Sequence, residues 1–235
     1  MIGLANPKRF YDASGRLLPW LIAAAILALV AGLWFAATVP PDYRQGEAVR
    51  IMFVHVPAAW VAMLAYASMA LAAVIVLVAR LPLAEVALQT AAPLGALFTA
   101  LGLVTGALWG RPMWGVYWVW DGRLTSFLVL LFLYLGVIAL AGAIDDQRRA
   151  ARAAAVLAVV GAVNLPIIHF SVVWWSTLHQ GASLLKAGGK GLAPVYLAPL
   201  LAMALAYTLL FFALWLVRIR TEILSRRRTG EGSGR

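Results

Sequence analysis

His55, His169 and His179 are the only histidines in this chain, and no cysteine accompanies them. Without thiols there is no disulfide, no thiolate metal site and no thiol redox chemistry. Imidazole remains, the commonest side-chain metal ligand and an axial ligand of haem iron. His55 stands in Phe53-Val-His-Val-Pro57, His179 in Ser176-Thr-Leu-His-Gln-Gly181 and His169 in Asn164-Leu-Pro-Ile-Ile-His169. Four of the ten tryptophans crowd into Trp109–Trp120, inside Trp109-Gly-Arg-Pro-Met-Trp-Gly-Val-Tyr-Trp-Val-Trp-Asp-Gly-Arg-Leu-Thr125. A haem needs flat apolar walls, which these rings supply, and cations for its two propionates. Arg44, Arg50, Arg111, Arg123, Lys186 and Lys190 are the candidate cations. Carboxylates are scarce, and Asp121 is the only one in the tryptophan stretch, suited to pairing with Arg123 or orienting an imidazole. No phosphate-binding loop is present, so any ATP hydrolysis belongs to another chain.

The elements that must position these residues are apolar. Of 235 residues, 64% are hydrophobic and 12% charged, far from the roughly 25% charged of soluble domains. Apolar runs cover about 17–39, 51–79, 87–108, 124–144, 153–173 and 194–217, each meeting the roughly 20 residues a membrane-crossing helix requires. The fold class is therefore all-α: a bundle of six transmembrane helices forming one domain over 1–235, with polar tails at 1–16 and 218–235. The tryptophan stretch cannot itself cross the bilayer, because Arg111, Asp121 and Arg123 would each cost about 2.5–3.5 kcal/mol in hydrocarbon. Its glycines and Pro112 argue against an unbroken helix, so it reads as a loop between spans three and four.

Six spans put both termini on one side. Thirteen of the nineteen Lys and Arg residues lie on that side and six on the other. Positive residues stay inside, so the termini are cytoplasmic and the tryptophan loop faces outward with loops 40–50 and 174–193. This distribution also explains the net charge of +10 without nucleic acid. The N-terminus lacks the form of a cleaved signal peptide.

That topology sorts the histidines. Pro57 suits a first helical turn, so span two begins near it and His55 sits at the outer boundary. His179 lies in the third outer loop. His169 falls about 6 Å below the interface at helical rise, beside a kink expected at Pro166, where it can satisfy freed carbonyls. The plain alternative is an interfacial aromatic belt with histidines bonded to headgroups; the crowding of the rings in one loop weighs against it.

Trp114-Gly-Val-Tyr-Trp-Val-Trp-Asp-Gly-Arg-Leu-Thr125 resembles the tryptophan-rich "WWD" signature of haem-handling proteins in cytochrome c maturation. His-Val-Pro-Ala-Ala59, Thr105-Gly-Ala-Leu-Trp-Gly110, Asn164-Leu-Pro-Ile-Ile-His169 and Thr177-Leu-His-Gln-Gly181 look like one branch, the CcmC family of haem exporter protein C. The likeness spans nearly the whole chain; Tyr117 replaces a Trp common in the family but keeps a flat ring. The resemblance implies a bacterial inner-membrane protein, not an enzyme, that holds haem b transiently at the periplasmic face. His55 and His179 would be the axial ligands, and Trp114, Tyr117, Trp118, Trp120, Asp121 and Arg123 the cofactor-binding surface. It implies delivery to the haem chaperone CcmE, with the ABC transporter CcmA/CcmB and the small CcmD as partners. Two other readings stand beside it: a cytochrome-b-like electron-transfer subunit that retains haem, and a transporter subunit for another hydrophobic solute.

Overall fold

Inside a bilayer every backbone N–H and C=O must find its partner within the chain, and helices meet that demand segment by segment. The computed structural model, which describes residues 6–179 and 192–228, is built accordingly. Seven α-helices follow in order: α1 (Pro7–Thr38), α2 (Met52–Ala79), α3 (Pro82–Trp114), α4 (Gly122–Ala143), α5 (Gln147–Gly161), α6 (Asn164–Trp174) and α7 (Pro194–Arg228). A 3-10 turn, Glu47–Ile51, leads into α2, and the described residues contain no strand. Six segments are long and apolar enough to cross a membrane, with α5 and α6 together making the fifth. The all-α class and the six spans are as the sequence indicates.

Four boundaries and placements differ from that reading, each for a local reason. α1 starts at Pro7, well inside the expected polar tail. Pro7 occupies the first turn, where a missing N–H costs nothing, and the Asn6 side chain accepts from the backbone N–H groups of Lys8 (2.9 Å) and Arg9 (3.4 Å). Arg220 of α7 then clasps this extension, donating to the Tyr11 carbonyl and to Ser14 Oγ. Pro57 lies inside α2 rather than at its start, because the preceding 3-10 turn feeds straight into the helix. His55 is consequently a helical residue.

The third correction concerns the tryptophan stretch. Its first part, Trp109–Trp114, is the helical end of α3 despite Pro112. Pro112 gives up the backbone bond to the Leu108 carbonyl, yet the helix continues past it until Gly115 terminates it at φ +79, a left-handed cap that favours glycine. Only residues 115–121 form the loop before Asp121 caps α4, its Oδ1 accepting from Leu124 N at 2.8 Å.

The fifth span breaks between Gly161 and Asn164, and Pro166 falls in the first turn of α6. Asn164 Nδ2 donates to the Ser126 carbonyl of α4 at 2.9 Å, tying the break to its neighbour. His169, however, satisfies no freed carbonyl: it lies on the exposed face of α6, its ring against Phe170 (4.8 Å, 88°), with no hydrogen bond among the described residues. Helical geometry is the reason, since Asn164, Ile168 and Ser171 take the inward face and leave His169 outside.

The core sits where α2, α3, α4, α5 and α7 meet. Close approach between helices replaces the hydrophobic effect as the cohesive device in lipid. Gly95 of α3 leaves room for the Tyr134 ring, whose hydroxyl donates to the Ala62 carbonyl at 2.7 Å. α1 packs chiefly on α7, reaching this core only near its end, through Leu29 and Ala36.

Candidate functional site

Gly102 and Gly106, four residues apart on α3, leave room between α3, α2 and α4: a Cβ on Gly102 would meet Phe127 of α4, and one on Gly106 would meet His55 of α2. A Cβ on Gly106 would lie 2.8 Å from His55 Cε1, so glycine is what permits the imidazole its place. His55 Nδ1 meets the Gly102 carbonyl at 3.0 Å and Thr105 Oγ1 at 3.2 Å. A carbonyl only accepts, so Nδ1 carries the hydrogen and Nε2 keeps its lone pair, the form in which imidazole binds a metal. The Trp109 ring stands edge-on to it at 5.7 Å, and Trp109 Nε1 donates to Gln45 Oε1 at 2.9 Å, linking the site to the 40–50 loop.

His179 approaches from the other side. The N-cap of α4 holds it in place: Asp121 spends Oδ1 on the cap, and its Oδ2 accepts from Thr177 Oγ1. Thr177 Oγ1 in turn accepts from His179 N at 3.1 Å. The carboxylate lies 3.7 Å from His179 Nδ1, too far for a hydrogen bond, and Nδ1 is buried without a partner among the described residues. Burial pushes the His179 imidazole below its ordinary pKa of 6.5, against the pull of Asp121. It is therefore neutral at neutral pH and able to act as a ligand. Trp114 packs edge-on against it at 4.8 Å.

The two histidines line one small cavity of about 70 Å³, together with Trp118, Arg123, Phe127 and Ile168. Trp118 Nε1 is the second buried polar atom here with no partner among the described residues. Buried polar groups are rarely left unpaired, and two beside one cavity mark a place prepared for something else. Arg123 donates from Nε to Ser171 Oγ of α6 at 2.9 Å. It does not bond Asp121, whose carboxylate is used by the helix cap and Thr177.

Not every anticipated residue converges. Tyr117 and Trp120 are 57% and 75% exposed, Tyr117 beneath the Arg111 guanidinium (5.5 Å) and Trp120 edge-on to Trp118 (5.4 Å). Arg111 also donates to the Gly115 carbonyl, which closes the end of α3. Arg50 is occupied with Glu47 (2.5 Å) and the carbonyls at the end of α1, and Arg44 lies over Tyr43 at 5.3 Å. Lys186 and Lys190 lie outside the described residues. Arg123 is thus the candidate cation that lines the cavity. Gly106, Thr105, Thr177 and Ser171 went unrecognised in the sequence as parts of the site. The glycine spacing along α3 was the signal for the first; the others become meaningful only through contacts between distant segments.

The family described as "CcmC: Heme exporter protein C" matches residues 1–232. The chain belongs to the CcmC family. A protein of Bradyrhizobium diazoefficiens named "Heme exporter protein C" is 57% identical over 227 residues, covering 97% of this chain and 86% of its own. Its namesake in Escherichia coli strain K12 is 50% identical over 222 residues, 94% of this chain and 89% of the relative. The Haemophilus influenzae relative of the same name is 48% identical over 221 residues, 94% and 90% respectively. Full-length similarity at this level extends through every span, so the CcmC family's architecture applies to the entire chain rather than to the tryptophan signature alone.

Proposed function

We propose that this chain holds haem b transiently in cytochrome c maturation, with His55 and His179 as axial ligands, and passes it to the chaperone CcmE. The names of its relatives support haem handling. One observation carries the residue assignment: two histidines far apart in sequence line one cavity, beside Arg123 and a Trp118 Nε1 that finds no partner among the described residues. Trp114 and Trp118 serve as apolar walls, with Tyr117 and Trp120 extending the aromatic surface outward. Arg123 is the cation suited to a propionate, and Asp121 orients His179 through Thr177.

A cavity of about 70 Å³ is far below the roughly 300–1,000 Å³ of sites that enclose small molecules. Haem therefore lies across the mouth, or the segment carrying Thr177 and His179 lifts to admit it. A ligand on a liftable segment suits a protein that releases its haem better than one that retains it for electron transfer. In this proposal the site faces the periplasm, the termini are cytoplasmic, and the membrane is the bacterial inner membrane. The chain has no catalysis of its own, and CcmA, CcmB and CcmD complete the complex.

The absorption spectrum of the purified protein tests the axial pair. His55→Gly and His179→Gly should each lose haem or show a changed spectrum, partly restored by millimolar imidazole filling the vacated space. His169→Gly should keep the parental spectrum. If the first two keep it and His169→Gly loses it, the assignment is wrong.

A further inference from the structure

His169 is the one histidine that the site leaves unused. Ionisable residues within membrane-crossing segments nearly always face the bundle interior. This one faces out of α6 with no hydrogen bond among the described residues, where an unpaired polar group in lipid is costly. Around it the surface is aromatic and continuous. The Phe170 ring abuts His169, Trp174 stacks on Phe170 (5.3 Å, 27°), and Trp175 stands edge-on to Trp174 (5.8 Å, 78°). Phe170, Trp174 and Trp175 are 43%, 56% and 50% exposed.

The strip also leads somewhere. Trp175 packs over Gly122, where a Cβ would come within 2.9 Å of its ring, and Ser171 Cβ closes the same contact. Gly122 follows Asp121, and Ser171 holds Arg123 at the cavity. An exposed imidazole and a stacked ring pair on α6 thus adjoin Trp175, whose contact with Gly122 lies next to the cavity-lining Arg123. A flat amphiphile with apolar faces and a Lewis-acidic metal at its centre matches both components: its faces stack and its metal takes the imidazole nitrogen.

We propose that the exposed face of α6, His169 with Phe170, Trp174 and Trp175, is a docking surface where haem dissolved in the bilayer first binds before reaching the His55–His179 cavity. This rests on the haem-holding reading above and adds the route by which haem arrives. The imidazole holds iron only transiently, and Trp175 hands the ring over Gly122. An aromatic anchor for lipid headgroups would need the rings but not the imidazole, so His169→Phe separates the two: it preserves apolar surface and removes the metal ligand.

The test uses the full chain reconstituted in phosphatidylethanolamine/phosphatidylglycerol vesicles and mixed with acceptor-free vesicles preloaded with haemin. Uptake is followed by the shift of the Soret band, and the end-point spectrum is recorded. His169→Phe and Trp174→Leu, both surface changes that leave the inward face of α6 intact, should each slow uptake by about tenfold, the scale of one modest contact. Their end-point spectra should equal the parental one. Uptake at the parental rate in His169→Phe makes the strip a lipid anchor only and overturns the proposal. An altered end-point spectrum in His169→Phe overturns it too, because His169 would then ligate the held haem. His55→Gly, run alongside, reports on the cavity: a parental end-point there refutes the axial assignment, while slowed uptake in His169→Phe would still stand. A parental chain that takes up no haem sinks both.

Discussion

The two ends of the bundle contain cavities of opposite character. At the end carrying the termini, α1, α2, α3 and α7 enclose a groove of about 590 Å³ lined by Phe10, Leu17, Leu71, Trp215 and other apolar residues, with Ser68 the one hydroxyl among its described lining. At the other end lies the cavity of about 70 Å³ with two histidines, an arginine and two buried nitrogens that find no partner among the described residues. The larger space has room and no chemistry. Lipid fills such a groove at no cost, since hydrocarbon against hydrocarbon leaves no polar group unsatisfied. The smaller is lined by two imidazoles and a guanidinium, and beside it a carboxylate holds the segment carrying one imidazole through Thr177. Function follows the groups whose burial would otherwise be expensive, not volume.

The largest contrast between the ends should be all-or-none. A reporter that works only in the periplasm, fused after Lys190, should be active, and fused after Arg149 should be silent; the reverse pattern would put the histidine cavity on the cytoplasmic side. Next comes a steric test. Gly106→Leu must displace His55 and should abolish the parental haem spectrum as fully as His55→Gly does. Gly142→Leu, where nothing lies within 4 Å of the new Cβ, should leave it unchanged. Equal loss in both would mean the helix, not the imidazole, is what Gly106 protects.

A smaller difference separates the tryptophans. Trp118→Ala should weaken haem retention, roughly tenfold for the loss of an aromatic contact of about 0.5–1.5 kcal/mol plus burial. Trp215→Ala, which lines the opposite groove, should not. Smaller still is Thr177→Val, which cuts Asp121 from the His179 backbone but leaves the α4 cap; retention should fall severalfold with folding stability almost unchanged. Asp121→Ala should add a cap loss of about 0.5–2 kcal/mol in thermal unfolding.

Acid gives the most graded contrast. The His179 pKa is lowered on folding, so its neutral form persists below the ordinary 6.5, and its contribution to stability is complete above that value. The contribution is lost as pH falls through the lower folded value, because the unfolded chain then binds the proton more readily. Haem retention, which needs the neutral ring, should thus hold at pH 6.5 and fall on further acidification. His179→Gly protein with imidazole present should lose haem at higher pH than the parent, since free imidazole is not shielded by burial. Coincident curves would deny His179 its buried position.

Length and apolar periodicity alone determined that this chain is a six-span helical membrane protein, because the hydrocarbon interior accepts little else and charges even single residues heavily. Local chemistry was nearly as legible: the tryptophan cluster, both cavity histidines and Asp121 stood out as residue types that lipid-facing helices do not collect by chance. What sequence could not decide was direction. Whether Trp118 faces inward and Trp120 outward, whether Arg123 meets Asp121 or Ser171, and whether His169 points to bundle or lipid all depend on how a helix is rotated against its neighbours. That rotation is settled by contacts such as the close approach of His55 to Gly106 and the hydrogen bond from Asn164 to the Ser126 carbonyl, which form between segments distant along the chain, so that a glycine spacing in the sequence marks one side of a contact without naming the other.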